Sequence, residues 1–294
     1  MKNIWLVVPC YNEEEVLPET SRQLKAVMQS MIDSGKISPE SKIAFVNDGS
    51  KDNTWNIISA LCTDDGIFAG INLSRNKGHQ NALLAGLMTA KKYADAVISL
   101  DADLQDDVNA IEKMVDNFIA GDDIVYGVRS SRKKDTFFKR FTAEGFYKFM
   151  AAMGVEIVFN HADYRLMSRR ALDALSEFDE VNLFLRGIVP QIGFRTSTVE
   201  YERKERLAGE SKYPLKKMLS FAFEGITSFS VRPLKIATTL GIFSLLVCLA
   251  MLIYCIVSKA TGHAVAGWAS IGASVWALGG LQLFMLCLLY TSDA

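Results

Sequence analysis

The sequence predicts an α/β fold, in which a mainly parallel sheet domain is followed by a two-helix transmembrane hairpin. Three observations support this prediction. Short apolar runs alternate with helical patterns over residues 1–130, these runs end in polar loops, and the C-terminal third contains two long stretches without a charged residue. Strands that alternate with helices form mainly parallel sheets whose two faces are both covered by helices.

Five short apolar runs are the predicted strands of this sheet. They are Ile4–Val8, Lys42–Val46, Ile67–Leu73, Ala96–Leu100 and Asp123–Tyr126. Helical patterns begin near Glu13, Thr54, His79 and Val108. His79 itself is interpreted as an ordinary helix-start residue. Because open α/β sheets bind ligands at the carboxyl ends of their strands, we expect the polar loops to share one edge of the sheet.

Several carboxylates follow the fourth predicted strand, among them Asp101, Asp103 and Asp106. Two carboxylates separated by one residue repel each other unless a cation or hydrogen-bond donors neutralise them. Oxygen ligands select hard divalent ions such as Mg2+ or Mn2+. The alternative is a solvated acidic turn before the helix near Val108.

Composition limits the classes of partner. The 294 residues carry a formal net charge of -1 and include no basic tail, so nothing indicates nucleic acid as a partner.

We expect no signal peptide, since Pro9 interrupts the first apolar run. The five cysteines form no CxxC pair, which favours reduced thiols. The sheet domain is therefore expected in the cytoplasm.

Three segments at predicted strand ends carry a specific resemblance. They are Val8–Glu13, Val46–Ser50 with Asp52, and Asp101–Asp106, which reads Asp-Ala-Asp-Leu-Gln-Asp. In order and position, they resemble the three successive signatures of the family 2 (GT-A) nucleotide-sugar glycosyltransferases. The resemblance implies a Rossmann-like GT-A fold, a nucleotide-sugar donor and a divalent metal, Mg2+ or Mn2+.

The resemblance also implies roles for individual residues. The residues that it places at the nucleotide sugar are Pro9, Tyr11, Asn12, Glu13, Asp48, Gly78, Asp101, Ala102 and Asp103. Asp103 and Gln105 would hold the metal that bridges the diphosphate. Asp48 would accept hydrogen bonds from the base, and Asp101 would orient the sugar or ribose. The alternatives are a packed aromatic for Tyr11 and an ordinary turn former for Asp48.

The segment Asn160–Arg170 resembles the acceptor side of the polyprenyl-phosphate subgroup of this family, which includes bactoprenol glucosyltransferases and dolichol-phosphate mannosyltransferases. Val181–Gly187 matches the same subgroup. The resemblance places Asp163 at the reacting centre, as a catalytic residue beside Asp101 and Asp103. A phosphate monoester, with a second pKa of about 6, is largely dianionic at neutral pH and can attack without a base. We therefore expect Asp163 to position the acceptor or the metal shell, or to act as a base only marginally, with a purely structural role as the alternative.

Basic residues near the predicted strand Thr196–Tyr201 are candidates for phosphate binding. Arg206 and Lys212 follow that strand, and Arg129 follows the fifth predicted strand. Guanidinium groups match phosphate oxygens, so these three side chains are predicted to clamp the donor and acceptor phosphates. The alternative for the charge run is a solvated surface.

Two uncharged stretches, Ile236–Val257 and Trp268–Tyr290, predict the transmembrane hairpin. Each reaches the roughly 20 residues that a helix needs to cross the hydrocarbon core. Basic residues precede the first stretch, so the positive-inside rule places the large domain on the cytoplasmic face of the inner membrane. A homo-oligomer through these helices is a further expectation, because their glycines permit close approach.

These stretches divide the chain into a GT-A catalytic domain at 1–232 and the hairpin at 233–294. Within the catalytic domain, 137–154 and 215–232 are candidate juxtamembrane helices. A plain core helix is the alternative for 137–154.

The assignments together predict a membrane-anchored, metal-dependent and inverting transferase. It would move a hexose, with glucose from UDP-glucose as the first choice, to undecaprenyl phosphate or a similar polyprenyl phosphate. GDP-mannose or a UDP-amino sugar is the alternative donor. A membrane scaffold or lipid-sugar translocation component and a nucleotidyltransferase are the alternatives from other classes. The scaffold is disfavoured by four intact residues: Asp101, Asp103, Gln105 and Arg206.

Overall fold

A computed structural model gives the architecture of most of the chain. The described residues are 1–129, 161–178, 185–202 and 232–261, together with 267, 271–272, 274–279, 281–282 and 285. The chain divides into two compact units, the first of Met1–Lys148 with Glu156–Leu219 and the second of Phe149–Val155 with Ser220–Ala294. Several predictions concern residues outside the described ones, namely 137–154, 181–184, Arg206, Lys212 and 215–231.

The first unit contains a seven-stranded sheet. Its strands are β1 (Ile4–Cys10), β2 (Lys42–Asn47), β3 (Phe68–Asn72), β4 (Ala96–Ser99), β5 (Ile124–Arg129), β6 (His161–Ser168) and β7 (Thr196–Tyr201). They lie in the order β3-β2-β1-β4-β6-β5-β7, and every neighbouring pair is parallel except the two made by β6. The predicted α/β fold with a mainly parallel sheet is confirmed, and all five predicted strands are present in it.

Helices follow the strands in the described part of this unit. They are α1 (Leu17–Asp33), α2 (Thr54–Asp64), α3 (His79–Ala90), α4 (Ala110–Ile119), α5 (Arg169–Leu175) and α6 (Leu185–Ile188), with a 3-10 helix at Val189–Ile192. In α1, the buried side chains of Leu17, Leu24, Met28 and Met31 recur at helical spacing, which produces one apolar face. Burial of that face against the sheet is what stabilises a helix of this length.

Different helices cover the two faces of the sheet. In β1, Ile4, Leu6 and Val8 belong to the hydrophobic cluster that includes Leu24 of α1. Side chains alternate along a strand, so Val7 lies on the opposite face, where α3 packs against β1 and β2. Because both faces are covered, β1 is buried along its whole length.

The sequence did not predict where β6 lies in the sheet. This strand lies between β4 and β5 and runs antiparallel to both. Ser99, the last residue of β4, pairs with Arg165, so Asp163 extends past it at the carboxyl end of β4. The reversed direction of β6 therefore brings Asp163 to the edge that carries the loops after β1, β2 and β4.

The second unit contains the helix α7 (Arg232–Ala260). Apolar side chains are exposed on it, among them Leu240, Phe243, Leu246 and Tyr254. Among the residues that the structure describes, no helix has the length and apolar character needed to cross a membrane. The predicted hairpin is not confirmed and stays a prediction, and much of its second stretch lies outside the described residues.

Gly86 lets α3 approach the sheet closely. A Cβ atom at this position would lie 2.4 Å from Val7 Cγ1 and 2.7 Å from Val46 Cγ2. Both methyl groups belong to stiff, buried β-branched side chains, which cannot easily move aside. We therefore expect Gly86→Ala to lower the free energy of unfolding by about 1–3 kcal/mol, as measured by urea denaturation followed by circular dichroism.

Gly66→Ala is the matched control, because a Cβ atom at Gly66 would meet nothing within 4 Å. Its free energy of unfolding should stay within about 0.5 kcal/mol of wild type. Equal stability of the two variants would contradict the close approach of α3 to β1 and β2.

Candidate active site

The loops after β1 and β2 are tied together by hydrogen bonds. Asn12 adopts a left-handed backbone conformation with φ of 55°. Its backbone N–H donates to Ser50 Oγ at 3.0 Å, and its Oδ1 accepts from the Lys51 backbone N–H at 2.8 Å. The Glu13 backbone N–H donates to Thr54 Oγ1 at 2.9 Å. These contacts fix the loop after β1, residues 11–13, at the start of α2. We call it the nucleotide loop because the sequence predicts that it contacts the nucleotide.

Two further residues at the end of β1, Pro9 and Tyr11, are also predicted to contact the nucleotide, and their surroundings differ. Pro9 lies inside β1, where it pairs with Val46 of β2. Tyr11 is 42% exposed, which argues against the alternative of a packed core aromatic. An exposed ring at a strand end can stack on a planar base, so the prediction for Tyr11 keeps its physical basis.

Asp48 organises the loop that leads into α3. Its side chain is buried, its Oδ1 accepts from the Lys77 backbone N–H at 2.7 Å, and its Oδ2 accepts from the Gly78 backbone N–H at 3.0 Å. Gly78 has φ of 85°, a conformation that glycine adopts without a steric penalty. The carboxylate of Asp48 therefore holds this loop, and its predicted contact to the base stays a prediction.

Residues 101–106, which we call the acidic loop, follow β4. The loop is anchored at Ala102, whose carbonyl accepts from Thr20 Oγ1 of α1 at 2.7 Å. Asp103 Oδ1 accepts from the backbone N–H of Gln105 at 3.1 Å, which closes a tight turn. The anchored backbone keeps the predicted metal ligands Asp103 and Gln105 at the carboxyl end of β4.

Asp101 is the residue of this loop whose pKa is affected by burial and by four neighbouring charged groups. Burial of the carboxyl group raises its pKa from about 3.8 to about 6. His79 lowers the pKa, whereas the negative charges of Asp106, Asp163 and Asp103 raise it. The side chain still keeps 39% of its surface exposed, so a ligand can reach it. The site therefore concentrates negative charge at a point that solvent and ligands can approach.

His79 lies between two of the predicted catalytic acids. Its Nε2 is 3.6 Å from Asp101 Oδ1 and 3.7 Å from Asp163 Oδ2. The sequence interpretation of a helix-start residue was therefore incomplete, because α3 begins at His79 but also directs this side chain to the acids. No sequence signal distinguished it from an ordinary polar residue at a helix start.

Asp163 is held by groups from three directions. Arg165 Nη2 donates to its Oδ1 at 2.6 Å, and Gln80 Nε2 donates to its Oδ2 at 3.3 Å. The backbone carbonyl of Asp163 accepts from Ser99 Oγ of β4 at 2.5 Å. The structure thus places Asp163 near Asp101, with His79 close to both, through partners that the sequence analysis did not identify.

Arg129, a predicted phosphate ligand, lies at the far end of the acidic loop. Its Nη2 is 3.6 Å from Asp106 Oδ1, and its Nε donates to the Tyr201 hydroxyl at 3.3 Å. The Tyr201 hydroxyl donates to Asp106 Oδ1 at 2.5 Å. Asp106 and Tyr201 therefore orient Arg129, and neither role was predicted. The other two predicted phosphate ligands, Arg206 and Lys212, lie outside the described residues.

The acidic loop fits a hard divalent cation. Its donors are carboxylate and amide oxygens. Burial is the main cause of the raised pKa of Asp101, and a cation would relieve the repulsion from neighbouring carboxylates that adds to it. Within the described ranges, no group of three or more His, Cys, Asp or Glu side chains is arranged to hold a metal ion. Mg2+ commonly takes one or two carboxylates and completes its shell with water and substrate phosphates, so the acidic loop suits that mode.

The family model described as glycosyl transferase family 2 matches residues 5–176. This segment is more than half of the chain and runs from β1 to the end of α5. It includes the nucleotide loop after β1, Asp48, the acidic loop and Asp163.

Relatives match nearly the whole chain. An uncharacterized glycosyltransferase, YkoT, of Bacillus subtilis (strain 168) is 54% identical over 278 residues, which are 95% of this chain and 82% of that protein. The bactoprenol glucosyl transferase of Shigella phage SfV is 40% identical over 283 residues, 95% of this chain and 89% of that protein. A prophage bactoprenol glucosyl transferase homolog of Escherichia coli (strain K12) is 40% identical over 285 residues, 95% of this chain and 90% of that protein.

The resemblance predicted from the three strand-end signatures is confirmed by the family model and by these relatives. The chain belongs to glycosyl transferase family 2 and is a glycosyltransferase.

Proposed function

We propose that this glycosyltransferase moves a hexose from a nucleotide sugar to polyprenyl phosphate. The first choice of donor is UDP-glucose. The observation that carries the proposal is the meeting of Asp101, His79 and Asp163 at the carboxyl end of β4, beside the loop that Asp48 organises. Donor and acceptor would meet where these elements converge.

The donor side is assigned to the nucleotide loop and the acidic loop. Tyr11 would stack on the base, and Asp101 would orient the sugar or ribose. Asp103 and Gln105 would hold Mg2+ or Mn2+. When bound, such an ion offsets the negative charge that develops on a diphosphate leaving group. Arg129, oriented by Asp106 and Tyr201, would contact the phosphates with its remaining N–H donors.

The acceptor side is assigned to Asp163. Both oxygens of this carboxylate already accept hydrogen bonds, from Arg165 and from Gln80, so it is a poor general base. A hydroxyl acceptor would need a base, whereas a phosphate monoester is largely dianionic near neutral pH. The state of Asp163 therefore favours a phosphate acceptor over a sugar or serine hydroxyl.

The proposed reaction is a single displacement. A phosphate oxygen of the acceptor forms a bond to C1 of the hexose, the bond from C1 to the donor diphosphate breaks, and the nucleoside diphosphate leaves with the electron pair. One displacement inverts the configuration at C1. The chain's residues would align these groups and exclude water from the sugar carbon.

The names of the relatives support the lipid acceptor. Two of them are a bactoprenol glucosyl transferase and a homolog of one, each 40% identical to this chain. Glucose as the transferred sugar and polyprenyl phosphate as the acceptor are consistent with those names. UDP as the nucleotide and the need for a metal come from the sequence resemblance and the acidic loop. GDP-mannose and UDP-amino sugars remain the alternative donors.

We also propose that the enzyme acts at the cytoplasmic face of the inner membrane. A polyprenyl phosphate resides in a bilayer, so its phosphate must be reached at the membrane surface. The exposed apolar side chains of α7, including Leu246 and Tyr254, support a hydrophobic environment for that helix. The basic residues that precede Ile236 in the sequence support a cytoplasmic position for the catalytic unit.

A transfer assay tests the proposed function. Membranes that contain the protein are incubated with polyprenyl phosphate, Mn2+ or Mg2+, and radiolabelled UDP-glucose, GDP-mannose or a UDP-amino sugar, and the lipid is then extracted. We expect label from UDP-glucose to enter the organic phase, and membranes without the protein provide the background. Label from another donor would correct the sugar, and label from none would contradict transfer to a lipid phosphate.

The raised pKa of Asp101 predicts a stability cost at the site. A carboxyl group whose folded-state pKa is raised contributes stability below about pH 4 and loses that contribution as pH rises through about 6. We therefore expect Asp101→Asn to raise the melting temperature at pH 7.5, with a smaller effect at pH 4.5, while transfer activity is lost. Differential scanning calorimetry at the two pH values measures the difference.

Asp64→Asn removes the same charge from an exposed position at the end of α2 and serves as the control. Its melting temperature should follow that of wild type at both pH values. A fall in the melting temperature of Asp101→Asn at pH 7.5 would show that the carboxylate is stabilised by its surroundings, contrary to the account.

A further inference from the structure

A closed ring of hydrogen bonds joins four residues, namely Asp163, Gln80, Leu185 and Arg165. Gln80 Nε2 donates to Asp163 Oδ2 at 3.3 Å, while Gln80 Oε1 accepts from the Leu185 backbone N–H at 3.3 Å. Arg165 Nη1 donates to the Leu185 carbonyl at 3.3 Å, and Arg165 Nη2 donates to Asp163 Oδ1 at 2.6 Å. The ring thus connects the start of α3, strand β6 and the start of α6.

The chemistry of the ring fixes the orientation of the Gln80 amide. A carboxylate can only accept hydrogen bonds and a backbone N–H can only donate one, so the amide nitrogen must face Asp163 and the amide oxygen must face Leu185. A side chain that only donates or only accepts cannot make both contacts. Glutamine at position 80 therefore satisfies a requirement that glutamate or leucine would not meet.

The ion pair inside the ring is buried. The side chains of Arg165 and Asp163 are only 2% and 5% exposed. Removal of two charges from water is costly, and replacing a buried ion pair by apolar residues is often neutral or stabilising. A buried pair next to the reacting centre is therefore better explained by the position it gives to Asp163 than by the stability it adds.

The ring also reaches the reacting centre. Asp163 Oδ2, which accepts the Gln80 hydrogen bond, is the oxygen that lies 3.7 Å from His79 Nε2. His79 Nε2 in turn is 3.6 Å from Asp101 Oδ1. A shift of the Gln80 amide would therefore change the direction in which Asp163 faces these groups.

We propose that Gln80 is a positioning residue of the acceptor side, which aims the Asp163 carboxylate and fixes the backbone of Leu185 beside it. This inference rests on the proposed function, because it assumes that Asp163 faces the phosphate acceptor. The nucleotide is assigned to the loops after β1 and β2 and, through its diphosphate, to the acidic loop, and no residue of these loops is a member of the ring. Loss of the ring should therefore affect the acceptor and leave the nucleotide unaffected.

Two substitutions test the role of Gln80. Gln80→Glu keeps the shape but replaces the donor that faces Asp163 by a second negative charge. Gln80→Leu removes both hydrogen bonds and adds no charge. For each variant, we measure kcat and the KM of polyprenyl phosphate in the transfer assay at saturating donor, together with the Kd of UDP by calorimetry.

We expect both variants to lower kcat by about tenfold or more and to raise the KM of polyprenyl phosphate, since small displacements of a positioned group have effects of this size. The Kd of UDP should stay within about twofold of wild type. Gln191→Glu is the matched control for Gln80→Glu. Gln191 is exposed in the 3-10 helix Val189–Ile192, so the same change there should leave kcat and both affinities within about twofold.

Unchanged kcat and acceptor KM in both Gln80 variants would overturn the inference. A loss of UDP affinity in proportion to the loss of turnover would overturn it as well, because Gln80 would then support the whole site rather than its acceptor side. If wild type transfers no sugar to polyprenyl phosphate, the proposed function fails, and the inference fails with it. That result is recognised from the wild-type reaction alone.

Discussion

The crowding of negative charge at the carboxyl end of β4 is the constraint on which the site depends. Arg165 forms an ion pair with Asp163. Arg129 forms an ion pair with Asp106, and the Tyr201 hydroxyl donates a hydrogen bond to the same carboxylate. Even so, the pKa of Asp101 remains raised to about 6, chiefly because its carboxyl group is buried and further because Asp106, Asp163 and Asp103 lie nearby. A buried carboxylate among other acids is a cost to stability that a bound cation can offset, which explains why a glycosyltransferase would retain it.

The topology of the sheet produces this crowding. Parallel strands bring the loops after β1, β2 and β4 to one edge, and that much follows from the alternation of strands and helices. Asp163 reaches the same edge by a different route, because β6 runs antiparallel between β4 and β5. The two halves of the site therefore come from opposite strand directions, with the predicted donor loops at strand ends and Asp163, the proposed acceptor-side acid, near a strand start.

The sequence predicted the features that depend on local pattern. Apolar runs such as Ile4–Val8 indicated strands, and the Asp101–Asp106 signature identified the family and the edge that carries the chemistry. The position of β6 could not be predicted, since strand pairing joins residues as far apart as Ser99 and Arg165. His79, Gln80 and Tyr201 were missed for the same reason: polar residues at a helix start or a strand end are common, and only their long-range partners distinguish them.

The central claim is that the acidic loop binds a nucleoside diphosphate through a divalent cation. Calorimetric titration of the wild-type protein and of Asp103→Asn with UDP and GDP, each with Mn2+ and with excess chelator, tests this claim most directly. The account predicts that wild type binds one of the two nucleotides at least about tenfold more tightly with Mn2+, and that Asp103→Asn loses this difference. Equal affinity of the wild-type protein in Mn2+ and in chelator would contradict it.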